Sequence, residues 1–192
     1  MATNGEITEG ISTLYDTINQ IIEEARAAVY RTANITMVRA YWHIGRVIVE
    51  DEQKGKERAE YGKQVLKQLS QKLTKKHGRG FDESNLRHMR NFYLVYPKCD
   101  ALRPELSWTH YRLLLKVGNE QARLFYMQET IDCNWSTRTL ERQIGNLYYE
   151  RMLMSHNTQI VKDEAAEKEI RQEPKDIIKD PYVLEFLGLK DN

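Results

Sequence analysis

Apolar residues recur every three or four positions along nearly the whole chain of 192 residues, and this spacing is the strongest constraint on its fold. Such spacing places apolar side chains on one face of an α-helix, whereas a half-buried strand needs strict alternation with a period of two. No long stretch alternates in that way, and only 4 prolines and 10 glycines interrupt the pattern. The sequence therefore predicts an all-α fold, a helical bundle.

The pattern divides the chain into a series of helices. They are predicted at residues 11–31, 34–53, 60–77, 83–96, 107–117, 120–132, 137–154 and 160–173. The first helix carries its apolar residues on one stripe, which predicts a buried face. The stripe consists of Ile11, Leu14, Ile18, Ile21, Ile22, Ala25 and Val29.

The region around residue 80 has the signals of a helix, a tight turn and a second helix. Gly78 directly follows His77 and predicts a left-handed cap at the end of one helix. Asp82 is the predicted N-cap of the next helix, which has to stop before Pro97. The segment between these helices is therefore predicted to be a short turn.

A weak internal repeat links this region to a later one. In segment 81–86 an aromatic residue precedes a capping residue, and a leucine follows four positions after the cap. Segment 135–140 has the same order, which suggests two helix-turn-helix units. A generic hydrophobic staple at a helix start produces the same pattern and is the alternative interpretation.

The charge of the chain is unevenly distributed, although its net charge is only +1. Between residues 54 and 116 there are 15 basic and 6 acidic residues, so this segment carries +9 and the remainder −8. Polyanions are the natural partners of such a segment, because each neutralised phosphate releases condensed counterions. Nucleic acid, and duplex DNA in particular, is the predicted partner.

The layout of the basic segment matches a DNA-binding helix-turn-helix, whose second helix enters the major groove with its first turns against base edges. The residues predicted to face the bases are Ser84, Asn85, Arg87, His88 and Asn91, with Arg90 included as a nucleic-acid contact on the same helix. The residues predicted to contact phosphates are Lys72, Lys75, Lys76 and Arg79. The alternative is that these charges form an ordinary solvated helix face.

Local signatures of catalysis are absent: the sequence has no phosphate-binding loop, dinucleotide fingerprint, HExxH pair or GxSxG turn. Glu52 and Lys54 imitate the acid-x-Lys element of metal-dependent nucleases, in which carboxylates hold Mg²⁺. That element normally lies on a strand, whereas the residues before Glu52 keep a helical stripe. The pair is therefore interpreted as the end of a helix.

Metal ligands and reactive groups are scarce. The five histidines include no pair at helical i, i+4 spacing, and the two cysteines are too few for a thiolate zinc site. Cys99 and Cys133 are expected to pack as small apolar groups. Trp108 and Trp135 each stand at a predicted helix start, where they are expected to fix turns rather than to stack on bases.

A bilayer-spanning segment is not predicted. No apolar run approaches the roughly 20 residues that cross a membrane, and the first residues lack the basic and apolar start of a secretory signal. The chain is therefore predicted to be soluble and cytoplasmic, without a membrane partner.

Several stretches of the chain resemble the N-terminal domain of the YhcG family of PD-(D/E)XK-type nucleases. These stretches are YWHIGRVIVE (41–50), YGKQVLKQLSQKLTKKHGRGF (61–81), SNLRHMRNFY (84–93), LSWTHYRLLL (106–115), NWSTRTLERQI (134–144) and KDPYVLEFL (179–187). They occur in order over most of the chain, which makes the resemblance specific.

The resemblance implies a helical, winged-helix-like DNA-binding module that delivers a nuclease in recombination, repair or defence. Residues 1–158 would form this module, residues 159–178 a charged helical connector, and residues 179–192 the start of a truncated nuclease domain. The metal-binding residues of the family would lie beyond Asn192, so none of them can be assigned here. The chain itself is therefore expected to be noncatalytic and without a cofactor, with Mg²⁺ needed only by the nuclease domain.

Two other functions remain open. The acidic outer helices and the basic middle could pair between chains, which would make the protein a homo-oligomer or an interaction scaffold indifferent to DNA. An autonomous enzyme is the third possibility. It would be supported if the purified chain cleaved DNA with added Mg²⁺ and lost this activity on Glu52→Ala.

Overall fold

Helices make up most of the chain that the computed structural model describes, namely residues 4–54, 59–166 and 181–188. They are α1 Asn4–Lys54, α2 Ala59–His77, α3 Glu83–Val95, α4 Trp108–Leu114, α5 Glu120–Asp132, α6 Thr137–Gly145, α7 Tyr148–Met154, α8 Thr158–Ala166 and α9 Pro181–Phe186. Short 3₁₀ turns lie at Arg79–Phe81 and Cys99–Ala101. These residues include no β-strand, so the all-α prediction is confirmed and no strand-built wing lies among them. None of these helices is long and apolar enough to cross a bilayer.

Helix α1 is a single helix of 51 residues. The prediction of two helices at 11–31 and 34–53 is therefore wrong. No glycine or proline separates the two segments, so nothing in the backbone interrupts the hydrogen bonds of the helix. Asn34 lies at the expected junction but is buried, and its Nδ2 donates to the carbonyl oxygen of Leu106 at 2.9 Å. Its side chain holds α1 against the core instead of capping a new helix.

The buried face predicted for residues 11–31 is also wrong. The apolar residues from Ile11 to Ile22 on this stripe are 42–62% exposed, and Val29 is 65% exposed. Among the side chains described, burial on α1 begins only at Ala27, because the other helices pack against the part of α1 that follows it. The first part of α1 is amphipathic without being covered.

The core forms where α3 crosses the second half of α1 and α4 packs beside both. The ring of Trp108 makes edge-to-face contacts with Tyr41 and Phe92, with centroid distances of 5.0 and 5.3 Å. Gly45 permits the close approach of α3, because a Cβ at this position would lie 2.0 Å from the carbonyl oxygen of Met89. This crossing fixes the orientation of α3.

Helices α5, α6 and α7 extend the aromatic core beyond α4, with Trp135 packed edge-on against Tyr148 at 5.7 Å. The single helix predicted at 137–154 is wrong, because α6 and α7 are separated at Leu147, whose φ of 51° lies in the left-handed region. The missed signal is the pair Gly145-Asn146, two residue types that favour turns.

The last described helix folds back onto this helical body. Helix α9 packs against α1 and the turn at Arg79–Phe81, and Val183 is buried in the common core. Helix α8 forms the beginning of the predicted connector, and residues 167–178 of the connector lie outside the described residues. The predicted start of a nuclease domain at 179 stays a prediction, but α9 itself contacts the N-terminal helices.

Candidate nucleic-acid interface

The turn between α2 and α3 is short and tightly ordered. Gly78 ends α2 with a φ of 95°, so its φ is positive as predicted, but its ψ of −178° is extended rather than left-handed helical. The Arg79–Phe81 turn follows, and Asp82 then caps α3 by accepting a hydrogen bond from the backbone N–H of Asn85 at 2.7 Å. The predicted cap of α3 is therefore confirmed.

Three of the four predicted phosphate contacts lie near the end of α2, and the fourth lies in the turn itself. Lys75 and Lys76 lie in the last turn of α2, Lys72 lies about one turn earlier, and Arg79 opens the 3₁₀ turn. All four side chains are exposed, and within the described ranges no carboxylate forms an ion pair with any of them. We call these four residues the basic turn. Their charges are available to a ligand in solvent.

A carboxylate from α9 lies directly against this turn. A Cβ added at Gly78 would be 3.0 Å from Oε1 of Glu185, and one added at Gly80 would be 3.3 Å from its Oε2. Larger residues at either glycine would therefore displace Glu185. The negative charge of Glu185 stands beside the backbone of the turn that Arg79 belongs to.

Helix α3 presents a polar stripe to solvent. Ser84, Arg87 and Asn91 are exposed and lie on the face opposite the buried side chains of α3. Arg87 donates to the carboxylate of Glu83 at 2.5 Å, one turn earlier on the same exposed face. An exposed pair of this kind contributes only about 0–1 kcal/mol, so Arg87 can exchange it for another acceptor.

Asn85 does not belong to that outward stripe, and the expectation that it faces a ligand is wrong. Its side chain is buried, with Nδ2 donating to the carbonyl oxygen of Gly80 at 2.5 Å and Oδ1 accepting from Nε1 of Trp108 at 2.8 Å. One residue corresponds to 100° around a helix, which turns Asn85 inward from its exposed neighbour Ser84. Asn85 connects the turn to α4.

Arg90 is half-buried and connects α3 to α1. Its Nε donates to Oε2 of Glu52 at 2.6 Å. Glu52 belongs to the acid-x-Lys pattern of the sequence. It lies on helix α1 rather than on a strand, and its carboxylate is paired with Arg90. In the part of the chain that the structure describes, no three potential metal ligands come together.

His88 is half-buried on the side of α3 that faces α4. Burial lowers the pKa of His88, and the positive charges of Arg112 and Lys116 lower it further, while Asp82 opposes this effect. The imidazole is therefore neutral at pH 7 and adds no positive charge to the surface.

Arg112 and Lys116 are basic residues that sequence reasoning did not assign to the site. Lys116 is exposed, whereas the Arg112 guanidinium donates to the hydroxyl of Tyr182 and lies 5.1 Å from the centre of its ring. Only the packing of α3 against α4 brings them near His88, so no spacing in the sequence indicated them. Arg112 also fixes α9 to the body.

Neither candidate tryptophan is a stacking platform. Trp108 is fully buried and Trp135 is 2% exposed, each at the start of a helix. The burial of both indoles speaks against stacking on bases, and Nε1 of Trp108 donates to Oδ1 of Asn85 on α3. Of the ten predicted site residues, the structure leaves the basic turn and Ser84, Arg87 and Asn91 exposed, and it turns Asn85, His88 and Arg90 wholly or partly inward.

The fold and this surface define an all-α helical domain that carries the basic turn at the junction of its second and third helices. The chain belongs to the family described as the DUF1016 N-terminal domain, whose model matches residues 17–151. It is also similar to "Putative nuclease YhcG" of Escherichia coli (strain K12), at 38% identity over 216 aligned residues. That alignment covers 96% of this chain and 58% of the relative, so the chain spans a little over half of the relative's length. No solved structure matches.

Proposed function

We propose that this chain is the duplex-DNA-binding module of a protein of the nuclease family to which its relative belongs. The observation that carries the proposal is the basic turn, four exposed cations without carboxylate partners in the described ranges. Phosphate contacts supply most of the affinity of such modules and set their position on the duplex. The relative's name supports a nucleic-acid partner.

The exposed stripe of α3 supports docking in the major groove. Helix α3 has 13 residues and is therefore about 20 Å long, enough to cross a groove roughly 12 Å wide. Arg87 is suited to guanine and Asn91 to adenine, while Ser84 suits either base. The basic turn would then contact the phosphates that flank the groove.

Asn85, Arg90 and His88 have supporting roles in this proposal. Asn85 and Arg90 position α3 through their bonds to the turn, to α4 and to α1. His88, neutral at pH 7, adds no charge to the proposed interface. The chain spans only 58% of the relative, and the proposal assigns it no part in DNA cleavage.

The proposal is tested by measuring binding to a random-sequence duplex as a function of salt. The dissociation constant should rise steeply with salt. A plot of the logarithm of the association constant against the logarithm of the salt concentration should have a slope of roughly −0.9 for each phosphate neutralised. Changing Lys72, Lys75, Lys76 and Arg79 together to glutamine should weaken binding at least about tenfold and reduce that slope by roughly 3 to 4.

The matched control removes four exposed charges elsewhere. Lys98, Arg103, Arg138 and Lys162 are exposed and distant in sequence from the basic turn. Changing these four to glutamine should leave the affinity within about threefold and the slope nearly unchanged. No retardation of duplex DNA by the unchanged chain at low salt, or equal losses in both variants, would refute the proposal.

A further inference from the structure

Helix α1 carries an uncovered apolar surface at the opposite end from its junction with α3. It consists of Ile11, Leu14, Tyr15, Ile18, Ile21 and Ile22, which we call the N-terminal stripe. Their spacing of three and four residues places all six on one face of the helix. They are 42–67% exposed, and each offers on the order of 100 Å² for burial.

This surface is as large as the largest apolar patches of typical monomeric proteins. The six side chains together present on the order of 600 Å² of contiguous apolar area, at the upper limit of the patches on typical monomers. Patches of this size, extended along one element, mark interaction sites. No other helix of the described chain lies against the stripe.

The same face of α1 continues into an apolar groove. The groove has a volume of about 440 Å³. Its lining residues are Ala28, Val29, Thr32, Ala33 and Thr36 of α1 and Phe186 and Leu187 at the α9 end. The stripe thus consists of large side chains, and the α1 wall of the groove consists mostly of small ones. The two surfaces are therefore complementary in size.

We propose that α1 pairs with α1 of a second copy of this chain in an antiparallel arrangement. In this arrangement the large residues of each stripe lie along the small residues of the other copy's groove, and the contact occurs twice. A parallel arrangement would place stripe against stripe and groove against groove, which fills neither groove.

The area is sufficient for a stable dimer. The stripe and the groove together bury on the order of 800 Å² on each copy, which is the size of a standard specific interface. Because the contact is mainly apolar, high salt should not dissociate it. This distinguishes it from pairing between the acidic helices and the basic middle of two chains.

The test measures the mass of the chain in solution by light scattering after gel filtration. The chain concentration is varied from 5 to 100 µM in steps of roughly threefold, because weak to moderate dimers dissociate in this range. We expect twice the 22.7 kDa of one chain, both at low salt and in high salt. Ile18→Asp with Ile21→Asp should raise the dimer dissociation constant at least about hundredfold. Both residues are already exposed in one chain, so circular dichroism should show an unchanged helix content.

The matched control changes exposed apolar residues elsewhere. Leu153→Asp with Met154→Asp alters side chains that are 69% and 82% exposed on α7 and should leave the dimer intact. A monomeric unchanged chain, or a dimer that survives the stripe variant, would overturn the proposal.

Discussion

Asn85 connects three parts of the molecule through the two ends of one buried amide. It bonds the turn through the carbonyl oxygen of Gly80 and α4 through Nε1 of Trp108. Both partners are buried polar groups that would lack a hydrogen bond without it. Asn91, two turns later on the same helix, is exposed and has no such role.

Replacing Asn85 by alanine should therefore destabilise the fold. The expected loss is about 2–4 kcal/mol of unfolding free energy, because two buried groups lose their partners. Asn91→Ala should change it by less than about 0.5 kcal/mol. Urea unfolding of both variants measures the difference, and equal stabilities would contradict the role assigned to Asn85.

Gly45 determines how closely α3 approaches α1. A Cβ would lie 2.0 Å from the carbonyl oxygen of Met89, a backbone atom that cannot move aside without shifting α3. Gly45→Ala should therefore cost about 1–3 kcal/mol or more. Gly145→Ala is the control, since nothing lies within 4 Å of its added Cβ. A Gly45 variant as stable as the control would show that the crossing is looser than described.

His110 makes the stability of the fold depend on pH. It is completely buried between the hydroxyl of Ser107, 2.9 Å from Nδ1, and the carbonyl oxygen of Trp135, 3.0 Å from Nε2. Burial lowers the pKa of His110 from 6.5 to about 4, although the bond to Trp135 opposes this change. Between these values the unfolded chain binds a proton that the folded chain does not.

Acidification from pH 7 to pH 4 should therefore remove stability through His110, by about 3 kcal/mol. This contribution is fully present above pH 6.5 and is lost as the pH falls. His110→Gln should lower the unfolding free energy at pH 7. The difference in unfolding free energy between this variant and the unchanged chain should become smaller towards pH 4. Unfolding midpoints at both pH values measure the gap; a constant gap would contradict this titration.

At the scale of elements, α3 shows what the sequence can and cannot predict. Its capping residue, its end before Pro97 and the inward direction of Leu86, Met89 and Phe92 follow from local signals and helical spacing. The burial of Asn85 does not, because it depends on the position of Trp108, 23 residues later. The bond from Arg90 to Glu52 is equally invisible, since it joins residues 38 positions apart.

Helix α1 shows the opposite limit. Its apolar spacing correctly predicts a helix, but spacing alone cannot state what covers the apolar face. The apolar residues are exposed from Ile11 to Ile22 and again at Val29, whereas most of those from Met37 onward are buried. A stripe that is buried inside the fold and a stripe that could bind a second chain have the same spacing of apolar residues. The burial of residues 11–22 was therefore predicted wrongly.

The two faces of α3 should respond differently to mutation. Arg87→Ala and Asn91→Ala are expected to leave the unfolding free energy within about 0.5 kcal/mol of the unchanged chain, because both side chains are exposed. They should alter the preference among duplex sequences by about 1–3 kcal/mol at the base pairs they contact. Competition binding with a randomised duplex library measures this preference. An unchanged preference in both variants would limit α3 to backbone contacts.

At the scale of the whole molecule, α9 places a negative charge beside the basic turn. The carboxylate of Glu185 lies beside the backbone of Gly78 and Gly80, so a phosphate bound at the basic turn would have a like charge nearby. Glu185→Gln should therefore strengthen the proposed binding of duplex DNA several-fold at low salt, since removing one like charge at close range is worth about 1 kcal/mol. Glu141→Gln, an exposed change on α6, is the control. Equal affinities of the two variants would show that Glu185 does not oppose binding.

The length of α1 has a hydrodynamic consequence. At 1.5 Å per residue, its 51 residues extend for about 77 Å. A compact sphere of 192 residues would have a radius of gyration of about 16 Å, and so a diameter well below that length. The described part of one chain is therefore elongated, a rod with a globule at one end, and in scattering or sedimentation a single chain should show high friction for its mass.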